Sequence, residues 1–156
     1  MSNTDKWGKI PAASTWRELA VRFWPSGGYG DPDERVAFVL FDLARLIVDA
    51  HRTTDEEQLA KMYGFARWCY ERGKTDSEIG DLPVTAFYEH LVDSEVTLLE
   101  IPRRIPPQVF EGLQGVFRYR LDEMSARHGI KMPGTFHGLL GNYDRENGTD
   151  FLSGRS

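Results

Sequence analysis

The sequence predicts an all-α protein: a single-domain bundle of four to five helices around a central apolar helix at about residues 32–52. Three observations predict this class. Apolar residues recur at helical spacing over several long stretches. The helix-capping pattern Thr-x-x-Glu stands in front of two of them, at residues 15–18 and 54–57. Glycine and proline residues cluster between these stretches, where they favour turns.

Composition limits the function classes. The chain has 156 residues, 40% hydrophobic and 28% charged, which is enough for one core without disulfides or metal. Its net charge of −5 argues against a protein that binds nucleic acid by general attraction to phosphates. The single cysteine, Cys69, excludes a disulfide framework. No secretory signal and no apolar run of about 18 residues occurs, so we expect a cytoplasmic protein that does not bind membranes.

Three regions follow from the pattern. Residues 1–13 are polar, lack periodicity and are predicted to be a flexible lead-in. Residues 14–128 form the helical domain, beginning with a short aromatic helix that ends at the glycine-rich turn 25–30. Residues 129–156 form a glycine-rich tail, partly docked on the core.

The central helix is the most apolar in the chain. At 3.6 residues per turn its first apolar sector comprises Val36, Val39, Leu40, Leu43, Leu46, Ile47 and Ala50. A second set extends this sector: Ala37, Phe41, Ala44 and Val48. A helix that is apolar around most of its circumference is predicted to be covered by several partners.

The remaining elements follow in order. A third helix begins near Thr54, and a fourth begins at Pro83. The stretch 94–101 fits either a helix or an extended segment. A last long helix is predicted for residues 108–128, closed by Gly129. In the tail, glycines argue against a long helix, although four apolar residues are suited to docking: Phe136, Leu139, Leu140 and Tyr143.

Motifs for catalysis are sparse. Glu89, His90 and Asp93 share one helix face and form the best candidate for a metal or acid–base site, as in a small hydrolase. The pattern is short, and no second acidic or histidine cluster supports it. A plain surface helix end is therefore the favoured interpretation, and we predict no bound metal and no cofactor.

An arginine in an apolar stripe predicts an ion pair. Arg120 lies among apolar residues of the last helix, and an unpaired buried guanidinium is very costly. We therefore expect it to pair with Asp42 or Asp49 on the polar strip of the central helix, with Glu89 as the less favoured alternative.

Trp68 does not fit the inner stripe of the third helix. It lies on the side of Lys61 and Gly64, and Gly64 comes one turn before it. An indole beside a position without a side chain is typical of an anchor at a binding surface. The alternative, that one of the two tails covers Trp68, is equally compatible with the sequence.

The order of short motifs resembles a known family. Phe-Trp-Pro at 23–25, Tyr-Gly-Asp at 29–31, Phe-Asp-Leu at 41–43 and Phe-Tyr-Glu-His-Leu at 87–91 are similar to those of small uncharacterised bacterial all-helical domains, over about residues 16–105. This resemblance implies no activity and no catalytic residues, and it is compatible with an immunity-type partner of a toxin. We therefore expect a non-enzymatic interaction protein, such as an immunity-type or adaptor protein, whose partner is another protein.

Overall fold

The structure is a computed structural model that describes residues 4–154. The predicted class is confirmed, because these residues form helices and turns and contain no strand. By its internal contacts the chain divides into two compact units, the first ending at Tyr88 and the second beginning at Glu89. Within the predicted lead-in, residues 4–7 form one helical turn, and its flexibility stays a prediction.

The helices of the first unit are α1 (Thr4–Trp7), α2 (Trp16–Phe23), α3 (Val36–Arg52), α4 (Glu56–Arg72) and α5 (Leu82–Ala86). A 3₁₀ helix, Tyr88–Val92, follows. The second unit contains α6 (Glu95–Leu98), α7 (Ile101–Arg104), α8 (Pro107–Arg118), a π-helix (Tyr119–Glu123), α9 (Met124–His128), α10 (Phe136–Asn147) and α11 (Phe151–Gly154). The open alternative at residues 94–101 is thereby resolved as short helical turns.

Helix α3 packs against α2, α4 and α5, so it is the central helix of the first unit. Its buried face comprises Val36, Val39, Leu40, Leu43, Ile47 and Ala50. Two residues expected in the buried sector are not there: Phe41 is 50% exposed and Leu46 is 39% exposed. The buried positions span only roughly 100° of the helix at 3.6 residues per turn. The prediction that α3 is covered on most sides is therefore wrong for its outer side.

The start of α3 also differs from the prediction, at Val36 instead of Pro32. The reason lies in Arg17 of α2. Its guanidinium donates hydrogen bonds to the backbone carbonyls of Tyr29, Asp31 and Glu34, which holds this segment as a turn.

The long last helix of the prediction is present but not uniform. Helices α8 and α9 are joined by a five-residue π-helix that includes Arg120. Gly129 ends α9 with a φ of 67°, the left-handed conformation that glycine adopts at low cost.

The tail contains a helix that its glycines were expected to forbid. Helix α10 has twelve residues, among them Gly138 and Gly141. A glycine costs only about 1 kcal/mol relative to alanine inside a helix, and burial of apolar side chains outweighs that cost. The four residues expected to dock are all buried: Phe136, Leu139, Leu140 and Tyr143. Tyr143 stacks on Phe110 with ring centroids 3.9 Å apart.

Candidate functional site

The outer side of α3 carries two exposed aromatic side chains. Phe38 and Phe41 are three residues apart, so they lie on the same side of the helix, and they are 54% and 50% exposed. Arg45, Asp49 and Arg52 continue this side toward the end of the helix, and all three are exposed. We call these five residues the α3 outer face. It combines an aromatic pair with a charged extension on one rigid helix.

The charges of the α3 outer face are held only weakly within the chain. Arg45 lies 3.6 Å from a carboxylate oxygen of Asp42, and Arg52 lies 3.9 Å from one of Asp49. Both pairs are three residues apart and largely exposed, so each contributes about 0.2–0.5 kcal/mol. These side chains can therefore exchange their present partners for others at little cost.

A packed turn borders this face. The Tyr29 hydroxyl donates a hydrogen bond of 3.2 Å to Asp42, and the Tyr29 ring makes an edge contact with Trp24. Burial and the negative charge of Asp42 raise the pKa of Tyr29 to about 12. A side chain at Gly27 would meet the Tyr29 ring at 2.7 Å, which explains a glycine there. The glycine-rich turn is thus fixed to α3 through one tyrosine.

Trp68 is not an exposed anchor, because only 5% of it is accessible. The guanidinium of Arg72 lies over its indole, 4.4 Å from the ring centroid. A cavity beside it is lined by residues 10–13, Trp68, Glu71, Arg72 and Thr75. The second alternative from the sequence holds, since the N-terminal segment covers the tryptophan.

The two residues predicted beside Trp68 are also engaged within the chain. A Cβ atom at Gly64 would lie 3.3 Å from the Pro11 ring, so the missing side chain makes room for the N-terminal segment. The ammonium of Lys61 donates a hydrogen bond to the backbone carbonyl of Phe23 and lies 3.7 Å from Glu57. That Gly64 and Lys61 contact a partner protein stays a prediction.

The acid–base candidates do come together. Arg120 donates one hydrogen bond of 3.2 Å to Glu89 and contacts both carboxylate oxygens of Asp93 at 2.6 Å. The Nδ1 atom of His90 lies 3.0 Å from Asp93. The arrangement is a charge network in which one guanidinium faces two carboxylates, and it can act as a structural clamp or orient the imidazole.

The expected partners of Arg120 were therefore wrong. Asp42 and Asp49 engage residues of their own unit, while Arg120 pairs with the less favoured alternative, Glu89, and with Asp93. The need for a carboxylate was correctly inferred from the apolar stripe. The choice failed because the sequence does not show that the segment 88–92 forms a 3₁₀ helix or that Arg120 lies in a π-helix.

Sequence reasoning missed Phe38 and Arg17. Phe38 precedes Arg45 by seven residues and Asp42 by four, so the helical periodicity already placed it on the polar side. That signal could have identified an aromatic residue directed toward solvent. No sequence signal indicates that Arg17 binds three carbonyl groups of a turn.

Two further findings concern metal binding and membrane spanning. Within residues 4–154 no three histidine, cysteine or acidic side chains are arranged to hold a metal ion. Among the helices described, none has both the length and the apolar character needed to cross a membrane.

Comparison with known proteins identifies a family. No curated protein and no solved structure matches the chain. A family model described as a domain of unknown function, DUF7674, matches residues 10–118, which include α2–α5 and the whole α3 outer face. Since this match covers more than half of the chain, the protein belongs to the DUF7674 family.

Proposed function

We propose that this chain is a non-enzymatic protein-interaction domain that binds another protein through the α3 outer face. The observation that carries the proposal is the pair of half-exposed rings of Phe38 and Phe41. Both residues belong to the most apolar helix of the chain, and about half of each side chain is accessible to another molecule.

The composition of the face supports protein binding. Phenylalanine rings bury large areas at low cost in side-chain entropy and are enriched in the centres of interfaces, whereas charged residues form the rims. Arg45, Asp49 and Arg52 supply such a rim on one side. The complementary partner has an apolar pocket or helix face bordered by charges of both signs.

The class of partner remains that proposed from the sequence. An immunity-type protein that binds a toxin, or an adaptor, in the bacterial cytoplasm fits an acidic domain whose exposed aromatic residues lie on a rigid helix. Recognition on a helix gives a preformed surface, which lowers the entropic cost of binding.

The test combines identification of the partner with a measured affinity. The wild-type protein is used to capture proteins from its native host, and the captured protein is then purified and titrated against wild type and the double variant Phe38→Ala, Phe41→Ala. We expect the double variant to bind at least about 10-fold more weakly, because truncating central aromatic residues costs more than about 1 kcal/mol each.

Leu99→Ala provides the matched control. Leu99 is an apolar residue of the second unit with a similar exposure, 52%. Its truncation is expected to leave the affinity unchanged. Equal losses for the double variant and the control, or no loss in either, would refute the assignment of the α3 outer face.

The acid–base alternative rests on one observation, the 3.0 Å contact between His90 Nδ1 and Asp93. A carboxylate at this nitrogen orients an imidazole that acts as a general base. The guanidinium of Arg120 counters this role by neutralising the same carboxylate. Hydrolysis of a small activated ester by the wild type, lost in His90→Gln, would favour this alternative.

A further inference from the structure

The second feature that suggests binding is the N-terminal segment 10–14, which we call the strap. It has no regular secondary structure, and it lies over Gly64, Trp68 and Arg72 of α4. Helix α4 is thus covered on this side by an extended stretch of chain instead of a helix. We call the three covered residues the strap groove.

Side chains hold the strap through its backbone. Arg72 donates hydrogen bonds to the carbonyl oxygens of Ser14 and Ala13, at 3.0 and 3.5 Å. Arg22 of α2 donates one of 2.8 Å to the carbonyl oxygen of Ala12. Contacts to carbonyl oxygens do not depend on the identity of the strap side chains. The same arginines can therefore hold other extended segments.

The position of Pro11 is the specific part of the contact. Its ring lies over Gly64, where a Cβ atom would come within 3.3 Å. Proline has a fixed φ and favours an extended conformation in the residue before it. Pro11 and Trp68 line the same surface depression. Grooves lined by aromatic residues are the sites at which many domains bind proline-containing extended peptides.

The groove is also incompletely filled. An open surface depression of about 380 Å³ lies between the strap, Trp68, Glu71, Arg72 and Thr75. Ile10, at the start of the strap, keeps 39% of its surface exposed. The strap therefore occupies the groove without closing it.

We propose that the strap groove binds an extended, proline-containing segment of a partner protein, and that residues 10–14 occupy it in the free chain as an internal competitor. This goes beyond the function proposed above, because it uses other residues and a different mode of recognition. The internal strap sets a threshold: its effective concentration is on the order of 1 mM, so only a segment that binds better displaces it.

The test uses the full chain and a synthetic peptide with the sequence of residues 9–14, capped at both ends. The strap is released by the variant Pro11→Gly, which changes the strap itself and leaves the groove and both arginines intact. Release is checked by a fall in the heteronuclear ¹H–¹⁵N NOE of Ala12 and Ala13, which reports fast backbone motion. Binding is followed by the indole N–H resonance of Trp68, assigned with Trp68→Phe.

We expect the peptide to shift this resonance in the released variant with an affinity at least about 10-fold higher than in the wild type. A matched peptide with glycine in place of proline should bind more weakly. Adding Arg72→Gln to the released variant should weaken the binding of the proline peptide as well.

Three results would each overturn the proposal. The first is no shift in the released variant at millimolar peptide. The second is equal binding of the proline and glycine peptides. The third is an unchanged NOE in the released variant, because the strap would then not be held by the contacts on which the proposal rests. None of the three bears on the α3 outer face, since its test uses other residues.

Discussion

Helices α3 and α4 both have 17 residues, but the helix with the more apolar sequence is the less buried of the two. Helix α3 has the more apolar sequence, yet its buried residues occupy only one face. Helix α4 carries more charged residues, yet its buried positions span roughly 220° of its circumference at 3.6 residues per turn.

The difference arises from what covers each helix. Phe65 of α4 packs edge-on against Trp24, in the turn after α2, and Trp68 lies under the strap. Phe38 and Phe41 of α3 are only partly covered and remain about half exposed. Apolar residues that a fold does not use for its own core are candidates for contact with another molecule.

The largest expected effect separates the two helices by stability. Phe65→Ala removes a ring that is fully buried in α4, so the free energy of unfolding should fall by about 3–5 kcal/mol. Phe38→Ala on α3 should change it by no more than about 0.5 kcal/mol. Urea denaturation of both variants measures the two values. Similar losses would show that Phe38 belongs to the core.

The partly buried ion pairs of Arg120 should contribute more to stability than the exposed ion pair of Arg45 on α3. Arg120→Met leaves two carboxylates without their guanidinium at a site where the side chains of Arg120 and Glu89 are 18% and 21% exposed. We expect a loss of about 1–3 kcal/mol. The matched change Arg45→Met removes an exposed pair of α3 and should cost less than about 0.5 kcal/mol. Thermal and urea unfolding of both variants provide the measurement, and equal losses would contradict the account.

Alkaline pH should act on α4 through its cysteine. Burial raises the pKa of the Cys69 thiol well above its ordinary value of 9.0. Above pH 9 the unfolded chain therefore loses this proton while the folded chain keeps it, so stability falls with rising pH, by about 1.4 kcal/mol per pH unit. Below pH 9 this contribution is constant.

The control for the pH effect is Cys69→Ala. This variant is expected to start from a lower stability but to lose less between pH 9 and 10.5 than the wild type. Tyr29 adds to the loss in both proteins above pH 10, since its folded pKa is about 12. Identical slopes for wild type and variant would show that the thiol is not buried as described.

Part of this architecture could be predicted from the sequence. The helical class, the buried face of α3 and the docking of Tyr143 follow from periodicity, which records local geometry. The exposure of Phe41 and Leu46 and the burial of Trp68 could not be predicted in this way. They depend on which distant segment packs on which side, and the strap and the turn held by Arg17 are irregular segments without periodic signals.

The acid–base candidates and Arg120 could likewise be predicted only in part. Periodicity placed Glu89, His90 and Asp93 near one another, and the apolar stripe around Arg120 required a carboxylate. The pairing itself depends on a 3₁₀ helix and a π-helix, for which the sequence carries no recognisable pattern. The exposure of Phe38 could have been predicted, because it precedes Arg45 by seven residues and so lies on the charged side of α3.

The variant that should lose binding is expected to keep most of its stability. The double variant Phe38→Ala, Phe41→Ala should unfold within about 1 kcal/mol of the wild type, the sum of two surface substitutions. Urea denaturation of the double variant provides this value. A larger loss would mean that any effect on affinity reflects damage to the fold.

Hydroxyl-radical footprinting of the chain, alone and bound to its purified partner, shows whether the α3 outer face is the binding surface. We expect Phe38 and Phe41 to become protected in the complex, while Tyr119, which is 40% exposed in the second unit, keeps its rate of modification. Unchanged modification of both phenylalanines in a saturated complex would contradict this expectation.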